Sequence, residues 1–315
     1  MKHYFLINPA AGKGQHEQKL KEQILSAAKA LGAEVEIYLT QGHGDATQYV
    51  REICGQVKEA IRFYACGGDG TFQEVINGMQ DFSHAEATVI PCGSGNDFVR
   101  SFPVPDDFAD ITAQMNGVSA SCDLLQVNDR FSVNLCNVGF DADICFDMEK
   151  FKHLPLLSGS AAYNLALVYN LLKRLGKKVT LQIDDQPMFE TDILLAAAGN
   201  GRFYGGGYKA TPYAALNDGI IDLCRVDKIS LFRIAGFVSY YRRGEHPVTP
   251  ALQKVVHYDK CRSLRITSKK PLRYVLDGES YLSDDVTIRI LPNAFRLSLP
   301  RSCVEALTPP ETVEA

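Results

Sequence analysis

The stretch Ala65-Cys66-Gly67-Gly68-Asp69-Gly70-Thr71-Phe72-Gln73-Glu74 joins the end of an apolar run, a glycine-dense turn and the start of a helical pattern. Residues Ala60 to Cys66 read as a buried strand, and Phe72, Val75, Ile76 and Met79 recur at helical spacing beyond the turn. The turn between them carries almost no side chains. Glycine lets the main chain adopt positive φ and lets a ligand approach it closely, while the following helix offers unpaired N–H groups and the positive end of its dipole. A phosphate fits such a place. Asp69 is the odd member, because a carboxylate repels a phosphate unless Mg²⁺ lies between them. The residues therefore point to a metal–nucleotide complex. A plain strand–helix turn would carry the same glycines, so the neighbouring segments have to decide.

Working outward, His3 to Ile7 predicts a first strand, broken by Asn8-Pro9-Ala10-Ala11-Gly12-Lys13-Gly14 before a helical pattern through Leu20, Ile24, Leu25 and Ala28. The spacing G-x-x-x-x-G-K-[ST] is absent, so this is not a Walker P-loop. Gly32 closes that helix, Glu34 to Leu39 alternates like a strand with Thr40 at its end, and Ala46 to Cys54 reads as a helix after the turn Gly42-His43-Gly44-Asp45. Past the central motif, Thr88 to Pro91 is a short strand ending in Cys92-Gly93-Ser94-Gly95-Asn96-Asp97, a third glycine-rich turn. Alternation of strand and helix predicts a doubly wound, mostly parallel α/β sheet, and such sheets bind ligands at the carboxyl ends of their strands. Asn8, Pro9, Ala10, Ala11, Gly12, Thr40, Gly67 to Gln73 (Gly67, Gly68, Asp69, Gly70, Thr71, Phe72, Gln73) and Ser94 all fall at strand ends. One convergent site accounts for them.

Near Asp123 the pattern changes. Leu124–Val127, Phe131–Val138, Val179–Ile183, Ile193–Ala198, Ile220–Val226, Leu264–Thr267, Leu272–Leu276, Val286–Ile290 and Phe295–Leu299 read as strands, most of them next to another strand, which predicts an antiparallel sandwich. Helical patterns interrupt it at Gly159–Leu175 and Ser230–Arg243. The first is apolar with a basic end, as suits either a helix lying on an anionic bilayer or an interdomain core helix. The expected organisation is an α/β domain over 1–123, an all-β sandwich over 124–300, and a tail over 301–315 that either packs on the first domain or stays disordered.

Composition narrows the function. With 46% hydrophobic and 22% charged residues in 315, the chain is that of an ordinary soluble globular protein, and a net charge of −4 argues against a general nucleic-acid binder. Nine scattered cysteines without a C-x-x-C pair disfavour a disulfide framework or zinc ribbon and suit a reducing cytoplasm. The apolar run at the N-terminus is short for a signal peptide, and no run of about 18 apolar residues exists, so membrane contact is expected to be peripheral. Other chemistries lack support. Gly205-Gly206-Gly207-Tyr208-Lys209-Ala210 satisfies a lax G-x-G-x-x-A, but no helix clearly follows, and a flexible active-site loop is the better reading. Asp141 and Asp143 lack the glycine and terminal glutamate of an EF-hand, and neither H-E-x-x-H nor G-x-S-x-G occurs.

Taken together, Asn8-Pro9 with Gly12, Gly67-Gly68-Asp69-Gly70-Thr71 with Glu74 and Asn77, Gly93-Ser94-Gly95-Asn96-Asp97-Phe98, Asn137-Val138-Gly139-Phe140-Asp141, Asn217-Asp218-Gly219 and Asp277-Gly278-Glu279 resemble, in this order, the diacylglycerol kinase catalytic-domain family in its bacterial branch, which is related to sphingosine and ceramide kinases. The resemblance covers nearly the whole chain. It implies an NAD kinase/phosphofructokinase-like first domain and a β-sandwich lipid-substrate domain. The implied activity is transfer of the γ-phosphate of ATP to a lipid hydroxyl, diacylglycerol first among acceptors, giving phosphatidic acid. By the same resemblance the strand-end residues hold ATP, Asp69 acts through Mg²⁺, Asp123 supports the site, Glu279 is the general base, and Asp218 with main-chain oxygens of Ala215 and Ile220 forms a structural Mg²⁺ site. Ser94 stands where threonine is common and keeps the hydroxyl. The enzyme is then expected to be cytoplasmic, to meet its lipid at the membrane surface, and to bind no nucleic acid, with a homodimer left open. Two rivals stay in play: a soluble-substrate kinase such as an NAD kinase, which shares Gly67 to Thr71, and a catalytically silent nucleotide- or lipid-binding module.

Overall fold

Four apolar runs of the N-terminal part form parallel strands, β1 (Lys2–Ile7), β2 (Val35–Leu39), β3 (Ile61–Gly67) and β4 (Ala85–Pro91). The computed structural model in which they are seen describes residues 1–14, 17–152, 165–166, 169–171 and 175–307. The strands pair in the order β2-β1-β3-β4, and Leu297 near the chain's end pairs in parallel with Ala87 of β4. Every residue of β3 is buried, as suits a central strand, and its one charged residue, Arg62, is paired with Glu86 of β4 at 2.6 Å. Helices α1 (Glu17–Leu31), α2 (Asp45–Gln56), α3 (Asp69–Gly78) and α4 (Ile111–Met115) cover the sheet. Leu20 and Ile24 of α1 join Ile111 and Met115 of α4 in a core with Phe5, Ile7, Tyr64 and Cys66. α2 and α3 lie so close together that a Cβ on Gly78 would stand 2.6 Å from the Thr47 carbonyl oxygen, so only glycine fits there.

This unit comprises Met1–Leu124, Ala215–Gly219 and the chain from Leu291 onward. Cys303 is buried in it, and Ser302 donates its hydroxyl to Asp107. Residues 308–315 lie outside the described part.

The second unit, Leu125–Ala214 and Ile220–Ile290, is built on antiparallel strands. To β5 (Val118–Val127), which crosses from the first unit, are added β6 (Arg130–Ser132), β7 (Leu135–Gly139), β8 (Lys177–Ile183), β9 (Phe189–Gly199), β10 (Ile221–Asp227), β11 (Val256–Cys261), β12 (Ser263–Leu276) and β13 (Glu279–Leu299). β10 lies between β9 and β11, while β7 and β8 sit end to end between the long strands β9 and β12. Alternating residues such as Val138, Leu181, Ala196, Leu264 and Ile288 close one core. Helix α6 (Leu231–Arg243), foreseen from its pattern, packs Ile234, Phe237 and Tyr241 into another.

The expected fold class, an α/β domain followed by an all-β one, describes the chain. Details differ from the sequence reading. Phe131–Val138 is two strands, because a carboxylate described below draws in the main-chain N–H groups of Val133 to Leu135. Leu264–Thr267 and Leu272–Leu276 belong to one strand, β12, whose register with β13 shifts between Thr267 and Leu272, and Val286–Ile290 and Phe295–Leu299 both lie in β13. Strand β11 and helix α5 (Phe140–Lys152) were not foreseen. The signal for α5 was present in Phe140, Ile144, Met148 and Phe151, which recur at helical spacing and turn toward one core. Most of Gly159–Leu175 lies outside the described residues. Gly205 to Gly207 form a turn closed by paired main-chain bonds between Tyr204 and Tyr208, with all three glycines at positive φ.

Candidate active site

Three strand-end turns of the first unit are tied to one another. Asn8 follows β1; its amide donates to the Thr71 hydroxyl at 3.0 Å and its side-chain oxygen accepts the Ala10 N–H at 3.0 Å. The Gly67 carbonyl accepts the N–H groups of Cys92 and Gly93 at 2.8 and 3.2 Å. Asp69 completes the set, its two oxygens accepting the main-chain N–H groups of Asp97 at 3.0 Å and Phe98 at 3.1 Å. The glycines are there for closeness. A Cβ on Gly67 would stand 2.3 Å from the Thr71 hydroxyl, and one on Gly93 would stand 2.5 Å from the Gly68 Cα. Helix α3 opens with Gly68 extended and no side chain capping it, which leaves its N-terminal N–H groups to a ligand.

The other nucleotide candidates are placed as follows. Pro9, Ala11 and Gly12 are half-buried, Ala10 and Ser94 are exposed, and Gly12 adopts a positive φ of 59° in its turn. Thr40 is nearly buried and donates both its N–H and, at 3.5 Å, its hydroxyl to the Ile7 carbonyl, which joins a fourth strand end to the set. Phe72 stands in the core against Phe98 with ring centres 4.9 Å apart, and Gln73 is buried, so what these two positions offer a ligand is their main chain. Sequence reasoning assigned no task to Glu74. From α3 it accepts the N–H groups of Gly44 at 2.8 Å and Ala46 at 3.2 Å, so it caps α2 from outside and holds the turn that follows Thr40.

Asp123 is buried and lies in the same unit as the segment Ala215–Gly219. Its N–H donates to the Leu216 carbonyl at 2.7 Å, and its oxygens accept the N–H groups of Gly219 at 2.7 Å and Asn293 at 2.8 Å. Its visible work is to hold the turn that carries Asp218. Among the described residues no group of three or more His, Cys, Asp or Glu side chains could hold a metal. The donors nevertheless suit Mg²⁺, a hard cation that takes oxygen ligands and seldom uses more than one or two carboxylates. A carboxylate offers about four lone-pair sites, so the two amide bonds at Asp69 leave room for a cation.

In the second unit the hairpin between β12 and β13 turns on Asp277 and Gly278, at φ 45° and 97°, a two-residue turn of the mirror-image kind that Asp-Gly favours. Asp277 is buried and accepts the Ser132 hydroxyl at 2.9 Å and the N–H groups of Val133, Asn134 and Leu135 at 2.9, 3.3 and 3.0 Å. Glu279, the first residue of β13, is half-buried; its main chain pairs with Leu276 across the hairpin, while its carboxylate makes no hydrogen bond or ion pair with a described residue. One carboxylate of the turn is saturated and the other is available.

The same unit holds an apolar cavity of about 110 Å³ lined by Phe140, Ile144, Ile234, Phe237 and Tyr241, with Asp141 and Tyr204 as polar groups. Tyr204 donates to Asp141. Burial pushes the Asp141 carboxyl up to about 6; the Tyr204 hydrogen bond opposes this, and the neighbouring Asp143 adds to it. Asp143 itself pairs with Lys177 at 2.6 Å and Arg273 at 3.6 Å.

Residues 2–127 match the family described as diacylglycerol kinase catalytic domain, and residues 134–299 match the YegS C-terminal NAD kinase beta sandwich-like domain. A diacylglycerol kinase of Staphylococcus aureus is 30% identical over 87% of this chain and 84% of its own length. One from Staphylococcus carnosus is 31% identical, over 87% of each chain. The crystal structure of a diacylglycerol kinase from Bacillus anthracis superposes with a TM-score of 0.69 over 96% of this chain and 98% of that one, at 22% identity, a likeness of fold. Among the described residues no helix is long and apolar enough to cross a membrane.

Proposed function

The chain belongs to the diacylglycerol kinase catalytic-domain family and is a lipid kinase with ATP as co-substrate; from that premise we propose that it moves the γ-phosphate of ATP onto the free hydroxyl of diacylglycerol, giving phosphatidic acid. The observation that carries the nucleotide half is the knot of turns after β1, β3 and β4, held by Asn8–Thr71, Gly67–Cys92/Gly93 and Asp69–Asp97/Phe98.

Phosphoryl transfer asks a protein for positioning, charge neutralisation and a base near the nucleophile. The main chain of Gly67 to Thr71 and the open N-terminus of α3 hold phosphate oxygens, with Asn8 and Thr71 fixing the wall of the cradle and Thr40 and Ser94 at its edges. Asp69 would hold Mg²⁺, which when bound neutralises charge on the phosphates. A second ion would take Asp218 and main-chain oxygens of Ala215 and Ile220 and serve structure. Glu279 accepts the proton of the acceptor hydroxyl. It suits this task because its neighbour Asp277 satisfies the surrounding N–H groups and leaves it without a competing donor. Asp123 positions the turn of Asp218. The reaction places the enzyme at the membrane surface, where its acceptor resides.

The test is transfer of labelled γ-phosphate from ATP to a chloroform-extractable product, with diacylglycerol vesicles and NAD offered in parallel and Glu279→Gln as blank. Label in phosphatidic acid that vanishes with Glu279→Gln is the expected result. Label on NAD alone, or on another lipid in preference to diacylglycerol, refutes the acceptor.

A further inference from the structure

Helix α6 has the sequence Leu231-Phe232-Arg233-Ile234-Ala235-Gly236-Phe237-Val238-Ser239-Tyr240-Tyr241-Arg242-Arg243 and contains three arginines and no acidic residue. Its inner face carries Ile234, Phe237, Val238 and Tyr241 and forms one wall of the apolar cavity. Its outer face follows the stripe Phe232, Gly236, Ser239 and Arg243, on the opposite side of the helix at 3.6 residues per turn. Phe232 is 92% exposed, far more than any other large apolar side chain among the described residues. Leu231 at 43% and Tyr240 at 38% flank it, and Val248, just beyond the helix, is 57% exposed.

The charges are arranged to match. Arg243 is held by Glu245 at 2.7 Å, but Arg233 and Arg242 pair with no carboxylate among the described residues; Arg242 lies over the Tyr208 ring instead. Viewed down the helix axis these two arginines fall on opposite sides of the Phe232 direction, Arg233 next to it and Arg242 near the far end of the helix. An aromatic side chain held in water on a helix that carries guanidinium groups with no carboxylate partner among the described residues, and no acids of its own, complements a surface that is apolar inside and negative outside. A protein partner would have to supply an apolar site at Phe232 and acidic groups spread along almost the whole helix, whereas a bilayer containing anionic phospholipid has both everywhere.

We propose that the outer face of α6 docks the protein on an anionic bilayer, with Phe232 among the acyl chains, Arg233 and Arg242 on lipid phosphates, and the cavity on the inner face of the same helix open to a chain drawn from that bilayer. The proposal rests on the acceptor being a bilayer lipid and names the element that meets it.

Binding to vesicles needs no turnover, so docking and chemistry are measured apart. The full-length protein is sedimented with vesicles of phosphatidylcholine alone and of phosphatidylcholine with phosphatidylglycerol, without ATP. Wild-type protein is expected to partition onto the anionic vesicles. Phe232→Asp is expected to lower that partition about 10-fold or more, Phe232→Ala to act in the same direction, and Arg233→Glu with Arg242→Glu to abolish the preference for anionic lipid. Melting temperatures establish that each variant is folded. Wild-type protein that stays in solution, or variants that bind as wild type does, would overturn the docking surface. Absence of labelled phosphatidic acid from the wild-type kinase, with vesicle binding and its loss as expected, would instead remove the assigned acceptor and leave the docking surface standing.

Discussion

Replacing Asp277 by asparagine changes no shape and removes one charge, and the structure sets what that should cost. Oδ1 accepts the Ser132 hydroxyl and the N–H groups of Asn134 and Leu135, while Oδ2 accepts the Val133 N–H. An amide can place its oxygen on the Oδ1 side and keep three weakened bonds, but its NH₂ group then faces the Val133 N–H, donor against donor. The opposite flip orphans more. A buried N–H without a partner costs about 1–3 kcal/mol, and the surviving bonds lose the extra strength that a charged acceptor confers, so the expected destabilisation is about 3–5 kcal/mol. Backbone strain adds nothing, since asparagine tolerates the positive φ of 45° as well as aspartate does. Urea unfolding followed by tyrosine emission serves as the assay, the chain having 14 tyrosines and no tryptophan. Ser132→Ala, which removes one neutral donor and leaves the amides paired, is the internal control at about 1 kcal/mol or less. A loss below about 1 kcal/mol for Asp277→Asn, or one equal to that of Ser132→Ala, would show that the carboxylate does not organise residues 132–135.

If Asp69 holds Mg²⁺ as proposed, Asp69→Asn should lower kcat by about 100-fold or more, the scale of a lost charge-stabilising group, and it also weakens the tie to Asp97 and Phe98; near-normal turnover removes Asp69 from the mechanism. With Asp218→Ala the melting temperature should stop rising with Mg²⁺, and a dependence equal to that of wild type counts against an ion in that turn. His246 is fully buried with Nε2 at 3.0 Å from the Ala210 carbonyl, and burial pushes its pKa from 6.5 down to about 4. The fold therefore holds it neutral while the unfolded chain takes up a proton below pH 6.5, so its contribution is present above 6.5 and lost as pH falls toward 4. His3, lowered to about 4 by burial, acts in the same window. Between these limits His246→Gln should reduce the pH slope of unfolding free energy by about one proton, or ~1.4 kcal/mol per pH unit; equal slopes refute the assignment.

The elements most legible in the sequence were those whose cause is local. β1, β3 and α2 lie within a residue or two of the segments expected from the sequence, because an apolar run and a helical repeat report burial directly. The readings that failed had causes at a distance. Nothing within Phe131–Val138 announces that Asp277, more than 140 residues away, interrupts it between Ser132 and Leu135. Glu74 looked like one more residue of a motif until it was seen capping a helix 28 to 30 residues earlier. Helix α5 is a different case, since its period is present in Phe140, Ile144, Met148 and Phe151 and its cause is local.

By itself, then, the chain's order of glycine turns determined that close-packed turns would follow β1, β3 and β4, since φ preference and the need for close approach belong to the residues themselves. The tertiary structure decided what each carboxylate does. Asp69, Glu74, Asp123, Asp277 and Glu279 are chemically near-equivalent in a sequence. The first four became ties between distant segments because folding brought main-chain N–H groups to them, and the Glu279 carboxylate stayed available because no described residue brings one to it. A buried N–H must be paired wherever it ends up, and only the folded chain shows which acceptor it meets.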